Sequence, residues 1–191
     1  KTSFTGNDEF PLSINTSTSF FQHALGGATP SNITPGAIDL VPELAFDSWV
    51  TLGISQSPVG DQSPVELIPG SWSTAFENGN GFTVNDGIGS GWYVIPSASN
   101  GIVGDDNRLL VAQLTTDGLI SASLRAQIFP EGDQINDVRA DLTLDQYIDC
   151  SELSLDLVET VEEGCGDTYV LSRTWTSVDD CGNATSATQT I

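Results

Sequence analysis

The sequence predicts an all-β protein built as a sandwich, and three observations carry that prediction. Ile120, Ala122, Leu124, Ala126 and Ile128 alternate with Ser121, Ser123, Arg125 and Gln127. A period of two buries one face of a strand and wets the other. Turn-forming steps recur along the chain, among them Asn78-Gly79, Asn80-Gly81 and Asp117-Gly118, and these supply the positive φ that tight reversals need. Nowhere do apolar residues hold the i, i+3, i+4, i+7 spacing of a core-facing helix over ten residues.

Taken in order, residues 1–14 show no clear periodicity, and Phe20 to Gly27 leads into a loop rich in Pro, Ser, Asn and Gly that ends at Gly36. Val41 to Phe46 fits one helical turn, and Ser48 to Ile54 is rich in strand formers. Ser55 to Pro64 is a loop. Ser71 to Phe76 and Gly81 to Asn85 are expected as short strands, and Trp92 to Ile95 as another, closed by Pro96. Arg108 to Leu114 and Ile120 to Ile128 read as two arms of one hairpin about Asp117-Gly118. Arg139 to Leu144 alternates weakly. Composition shifts near residue 146. Beyond it Ser151 to Thr160, Tyr169 to Thr176 and Ala184 to Ile191 each read as strands, with Leu153, Leu155 and Leu157 on one face. The expected division is a module over 1–146 and a smaller one over 147–191.

The chain has 191 residues, with 26 Asp and Glu against 5 Lys and Arg, a formal charge of -21. Its 38% apolar content supports a packed core. No apolar run approaches the roughly 20 residues of a membrane-spanning helix. Clustered Lys and Arg, on which phosphate binding depends, are missing, which argues against nucleic acid as a partner. So acidic a surface repels itself at low ionic strength and is relieved by salt or divalent cations. Methionine is absent and no basic-then-apolar leader opens the chain, so a processed or excised piece of a longer precursor is expected. Sequons at Asn15, Asn32 and Asn183 make these the candidate glycosylation sites of a secreted or cell-surface protein.

Cys150, Cys165 and Cys181 all fall in the last quarter. If 151–160 pairs antiparallel with 168–177, Cys150 and Cys181 meet at one end of the ribbon. Cys165 then sits in the turn about ten residues away, or roughly 30 Å. A bridge needs Cα atoms within about 7 Å, so the expected disulfide is Cys150–Cys181. Cys165 is left free or paired with another chain.

The residues offer little for catalysis. His23 is the one histidine, and a nucleophile needs a base beside it. There is no G-x-S-x-G elbow, H-E-x-x-H, C-x-x-C or Walker loop, and separated Cys and His lack zinc-ligand spacing. Two loops are dense in oxygen ligands: Asp105, Asp106 and Asn107, and then Asp133, Asn136 and Asp137. Ca²⁺ takes 6–8 such oxygens. These residues are the candidate Ca²⁺ ligands, with ordinary Asx turns as the alternative. Trp49, Trp72, Trp92, Tyr93 and Trp175 are either core residues or a sugar-stacking platform.

Near the C-terminus, Tyr169-Val170-Leu171-Ser172-Arg173-Thr174-Trp175-Thr176, then Asp179-Asp180-Cys181-Gly182-Asn183 and Ala187-Thr188-Gln189-Thr190-Ile191, resemble the end of HYR-like, immunoglobulin-like repeats. Those repeats occur in large secreted and surface proteins of marine bacteria and microalgae. The first module is similar to an uncharacterised β-rich module associated with such proteins. That similarity rests on Phe20 to Gly27, Phe46 to Gly53 and Val103 to Leu114. The resemblance implies a jelly-roll or immunoglobulin-like sandwich followed by an incomplete immunoglobulin-like unit, and an adhesion or matrix role without enzymatic activity. The expected function is a structural or adhesive module of an extracellular filament, sheath or matrix. It would join copies of itself or sibling modules through open strand edges. A Ca²⁺-dependent carbohydrate-binding module acting on polysaccharide is the alternative.

Overall fold

The structure is a computed structural model that describes residues 2–96, 98–130, 133, 135–145, 153–179 and 184–191. Strands account for 40% and helical turns for 13%, the balance of an all-β sandwich with antiparallel sheets. The chain divides into two units, Lys1–Gln146 and Tyr147–Ile191.

In chain order the first unit holds β1 (Thr2–Gly6), β2 (Leu12–Thr16), α1 (Ala37–Leu40), β3 (Trp49–Val50), β4 (Glu66–Ile68), α2 (Ser71–Glu77), β5 (Phe82–Val84), β6 (Ser90–Tyr93), β7 (Ala112–Gln113), β8 (Ile120–Ile128) and β9 (Val138–Asp145). Its main sheet runs β4-β6-β1-β8-β2-β5, with β9 also on β8, while β3 and β7 pair separately. The strand with the strict alternation, β8, is the organising element. β9 pairs with it from Ser121↔Asp145 to Ile128↔Val138. Its other edge is shared: β1 covers Ala126 to Ile128, and β2 covers Ile120 to Ser123. Leu124 and Arg125 fall between those two pairings, where residues 7–11 loop out of line.

The alternation predicts the faces in the middle of the strand, while Ile128 at its end is exposed. Ala122 and Ala126 are buried, while Ser121 is exposed and Ser123, Arg125 and Gln127 lie on the same polar face. On the buried side Phe4, Trp92, Trp72, Phe82, Phe76 and Phe20 form a continuous aromatic core. Adjacent ring centroids lie 4.9–5.5 Å apart, within the tilted and edge-to-face range that rings prefer. Val50, Leu52, Val94 and Ala98 close the second layer of this core.

Three local expectations fail, each for a non-local reason. Ser71 to Phe76 is the helix α2, not a strand, because Trp72 and Phe76 stand four residues apart and one helical face delivers both to the core. Of Ser48 to Ile54 only Trp49 and Val50 are strand. The rest stays buried and continues the pairing irregularly, with Thr51 and Gly53 N–H donating to Val111 and Leu110 carbonyls at 2.9 Å. The predicted hairpin does not form. Its first arm pairs with β3 instead, and its second arm is β8. Asp117-Gly118 is a crossing point docked on residues 16–19: Thr18 Oγ1 donates to Asp117 Oδ1 at 2.6 Å, and Thr116 Oγ1 donates to the Ser19 carbonyl at 2.8 Å. A Cβ at Gly118 would press on the hydroxyls of Thr16, Ser17 and Thr18. Glycine is used there for close approach and not for a turn.

The second unit is one antiparallel sheet of β10 (Leu153–Glu163), β11 (Tyr169–Asp179) and β12 (Ala184–Thr190), with β11 in the centre. Its first two strands pair from Leu153↔Asp179 to Glu163↔Tyr169. The ribbon is longer at both strands than the sequence alone suggests.

Candidate functional site: the open C-terminal sheet

Register sorts the side chains of the second unit. One face carries Leu155, Leu157 and Val161 of β10, Leu171 and Trp175 of β11, and Ala187 of β12, with Ile191 just beyond. The opposite face carries Ser172, Thr174 and Thr176 beside Ser186, Thr188 and Thr190, together with Val158, Val170 and Val178, and the Thr174 and Thr188 hydroxyls meet at 3.0 Å. The first face is the more apolar, holding Trp175 and the leucines, and the second mixes hydroxyls with valines. Yet Leu155 is 71% exposed, Val161 60% and Leu157 47%. A face of this composition has the chemistry of a core and the exposure of a surface. The ion pair Arg173 Nε–Glu159 Oε1, at 2.6 Å, crosses the middle of it.

The two open edges differ. β10 carries Asp156, Glu159, Glu162 and Glu163, and charge on an edge discourages pairing with another strand. β12 reads Ala-Thr-Ser-Ala-Thr-Gln-Thr, seven residues with neither charge nor proline. Leu171 and Ile191 exchange both backbone hydrogen bonds at 2.9–3.0 Å. Antiparallel pairs alternate. By that alternation Gln189, Ala187 and Thr185 bond inward to β11, and Ser186, Thr188 and Thr190 present their N–H and C=O groups outward.

Cys165 lies exposed and free in the turn between β10 and β11. The Leu153↔Asp179 pair marks the far end of that ribbon. The expected partners Cys150 and Cys181 lie outside the described residues, as does Asn183. Of the other sequons, Asn15 sits half-buried on β2 and Asn32 is exposed.

The candidate Ca²⁺ loops are both surface turns. In the first, Asn107 takes a positive φ of 56°, its N–H donates to the Gly104 carbonyl, and Arg108 N–H donates to Asp106 Oδ1 at 3.1 Å. In the second, Asp133 accepts from Ile135 N–H at 2.8 Å and Asn136 Nδ2 at 2.6 Å. Asp137 instead accepts from Gln127 Nε2 at 2.8 Å and from Arg139. These donors hold both carboxyls below the ordinary carboxylate range, Asp133 chiefly through Asn136 and Asp137 chiefly through Gln127. Among the described residues no three His, Cys, Asp or Glu side chains converge.

Three of the four tryptophans are core: Trp49, Trp72 and Trp92 are 0–3% exposed. Only Trp175, half-buried on the C-terminal sheet, remains near a surface. The buried acid is Asp47, which sequence reasoning missed. Its carboxylate accepts His23 N–H at 2.7 Å and Gly27 N–H at 3.4 Å, and a Cβ at Gly26 would overlap it. Burial raises its pKa, opposed by the hydrogen bonds from His23 and Gly27. Gln22 Nε2 donates to the Ser48 carbonyl and Gln113 Nε2 to that of Asp47. The three segments singled out in the first module therefore converge on one hydrogen-bonded junction. Its groups are spent on one another, which marks it as architecture. The only signal for it was their co-occurrence.

Comparison of the chain with protein-family models, curated proteins and solved structures returned no match.

Proposed function

We propose that this protein is a non-enzymatic structural or adhesive module of an extracellular assembly, a filament, sheath or matrix. It joins copies of itself or sibling modules through the open edge of β12. The observation that carries this reading is an uncharged seven-residue edge bordering an uncovered apolar face, in a chain of charge -21. Exposed edges accept strands, and contiguous apolar surface marks association sites. The acidic surface and the sequons support export. The resemblance of 169–191 to HYR-like repeats supports a surface setting.

Ser186→Pro tests it. Proline on an edge strand is tolerated where the N–H faces outward, so this change removes an outward donor and spares the ladder to β11. In sedimentation at rising concentration, in seawater-like salt with Ca²⁺, the unaltered protein associates and the variant stays monomeric with unchanged circular dichroism. A monodisperse monomer for the unaltered protein, or undiminished association of the variant, overturns the proposal.

A further inference from the structure

A cleft lies on the polar face of the main sheet, where β1 and β2 leave the middle of β8 uncovered. It has a volume of about 210 Å³ and is walled by Thr5, Asn7, Phe10, Ile68, Ile88, Ser90, Arg125 and Arg139, with glycines between them. The chain has four arginines and one lysine, and two of those five cations line this one space. None of the lining residues is acidic, in a chain with 26 Asp and Glu.

Arg125 is held in an unusual way. Its guanidinium lies 3.4 Å from the centroid of the Phe10 ring, a cation–π contact supplied by the looped-out 7–11 segment. Asp141 stands opposite it on β9, with Oδ1 at 3.6 Å from Nε, too far for a hydrogen bond. Nε and Nη1 of Arg125 are closed to solvent and have no hydrogen-bond partner among the described residues, so a ligand in the cleft would reach the side chain only through its remaining 19% exposure. A buried donor without an acceptor is costly, and for a charged group more so. The ion pair with Asp141 and the Phe10 ring offset part of that cost. Arg139 stands at the rim, half exposed, its Nε on Asp137 at 3.2 Å.

We propose that this cleft binds a small organic carboxylate of the sugar-acid class. A guanidinium is the protein group best matched to a carboxylate, and Arg139 at the rim presents one that is half exposed. Phe10 and Ile68 offer apolar surface to one ring, and Thr5 and Asn7 offer hydroxyl and amide groups for its hydroxyls. An acidic peptide side chain would leave most of that surface bare. The site is independent of β12 and of the assembly reading.

The test is a side-chain ¹⁵N titration of the intact protein, in which four arginine Nε–H signals report directly, with glucuronate as probe and glucose as its neutral counterpart. Glucuronate should shift Arg125 and Arg139 and leave Arg108 and Arg173 in place, and glucose should shift none. Arg139→Gln, at the rim, should weaken glucuronate binding roughly tenfold, the worth of one charge-assisted contact, with unchanged thermal unfolding. Arg108→Gln should change nothing. No shift with glucuronate, equal shifts with glucose, or full binding by the Arg139 variant overturns the proposal. Tighter binding of a short poly-glutamate peptide overturns the sugar-acid assignment.

Discussion

The two units use the same alternating strands and end in opposite conditions. In the first, the apolar face of β8 and its neighbours lies against rings from α2 and the β3–β7 layer, and Trp92 is fully buried. In the second, β10 carries a comparably apolar face, and its Leu155 and Leu157 stay exposed. What differs is the second layer. The first unit has enough chain to fold α2 and the 48–54 segment over its sheet. Among the described residues of 147–191 there is one three-stranded sheet and no second layer. Alternation therefore says which face seeks cover and is silent on what provides it.

The sharpest way to break this comparison is to truncate equivalent residues in both units. Trp92→Ala removes a ring in contact with Phe4, Trp72 and Phe82 and should cost about 4 kcal/mol in chemical denaturation. Leu155→Ala should change unfolding of the isolated chain by less than about 0.5 kcal/mol. A cost at Leu155 approaching that at Trp92 would show that the second sheet is covered after all.

Asp47→Asn probes the junction on which the first unit alone depends. An amide cannot accept both the His23 and Gly27 N–H groups as the carboxylate does, and the loss should be about 2 kcal/mol. The folded-state pKa is raised by burial. Ionising Asp47 therefore lowers stability as pH rises from its ordinary value through the raised one, and acidification across that window restores it. The gap between the unaltered protein and Asp47→Asn should widen as pH falls through the same window. Asp133 and Asp137 act oppositely. Their lowered values give stability that is complete above the ordinary carboxylate pKa and lost as pH falls through the lowered ones. Stability against pH, measured for each single Asn variant, separates the two signs, and a flat profile for Asp47→Asn relative to the unaltered protein would contradict the burial argument.

The smallest effect belongs to the second unit. Arg173→Gln breaks the exposed pair with Glu159 and should move unfolding by no more than about 0.5 kcal/mol. A larger loss would mean that the ion pair is buried within an assembly.

Class and strand faces were legible in the residues. The alternation of 120–128, the β10–β11 ribbon and the short strand at 82–84 lie where local pattern puts them, while the strand expected at Trp92–Ile95 falls two residues earlier, at Ser90–Tyr93. The misreadings are as specific. Trp72 and Phe76 share a helical face, but an isolated six-residue window weighs strand formers and spacing about equally. The Asp117-Gly118 step looks like a hairpin turn until Ser17, Thr18 and Thr116 are seen to hold it. The Arg125 cleft could not be read from the chain. It depends on residues 7–11 leaving the line of a strand, and Phe10 and Arg125 are distant in sequence.

What the chain determined by itself is the side of each strand that seeks burial, because successive side chains point to opposite faces wherever the strand lies. Tertiary structure alone decided which edges pair, which arms belong to different sheets, where a carboxylate and a guanidinium are desolvated, and which apolar face is left uncovered. Those outcomes depend on competition between distant segments for the same edge and the same buried volume, and no local pattern encodes that competition.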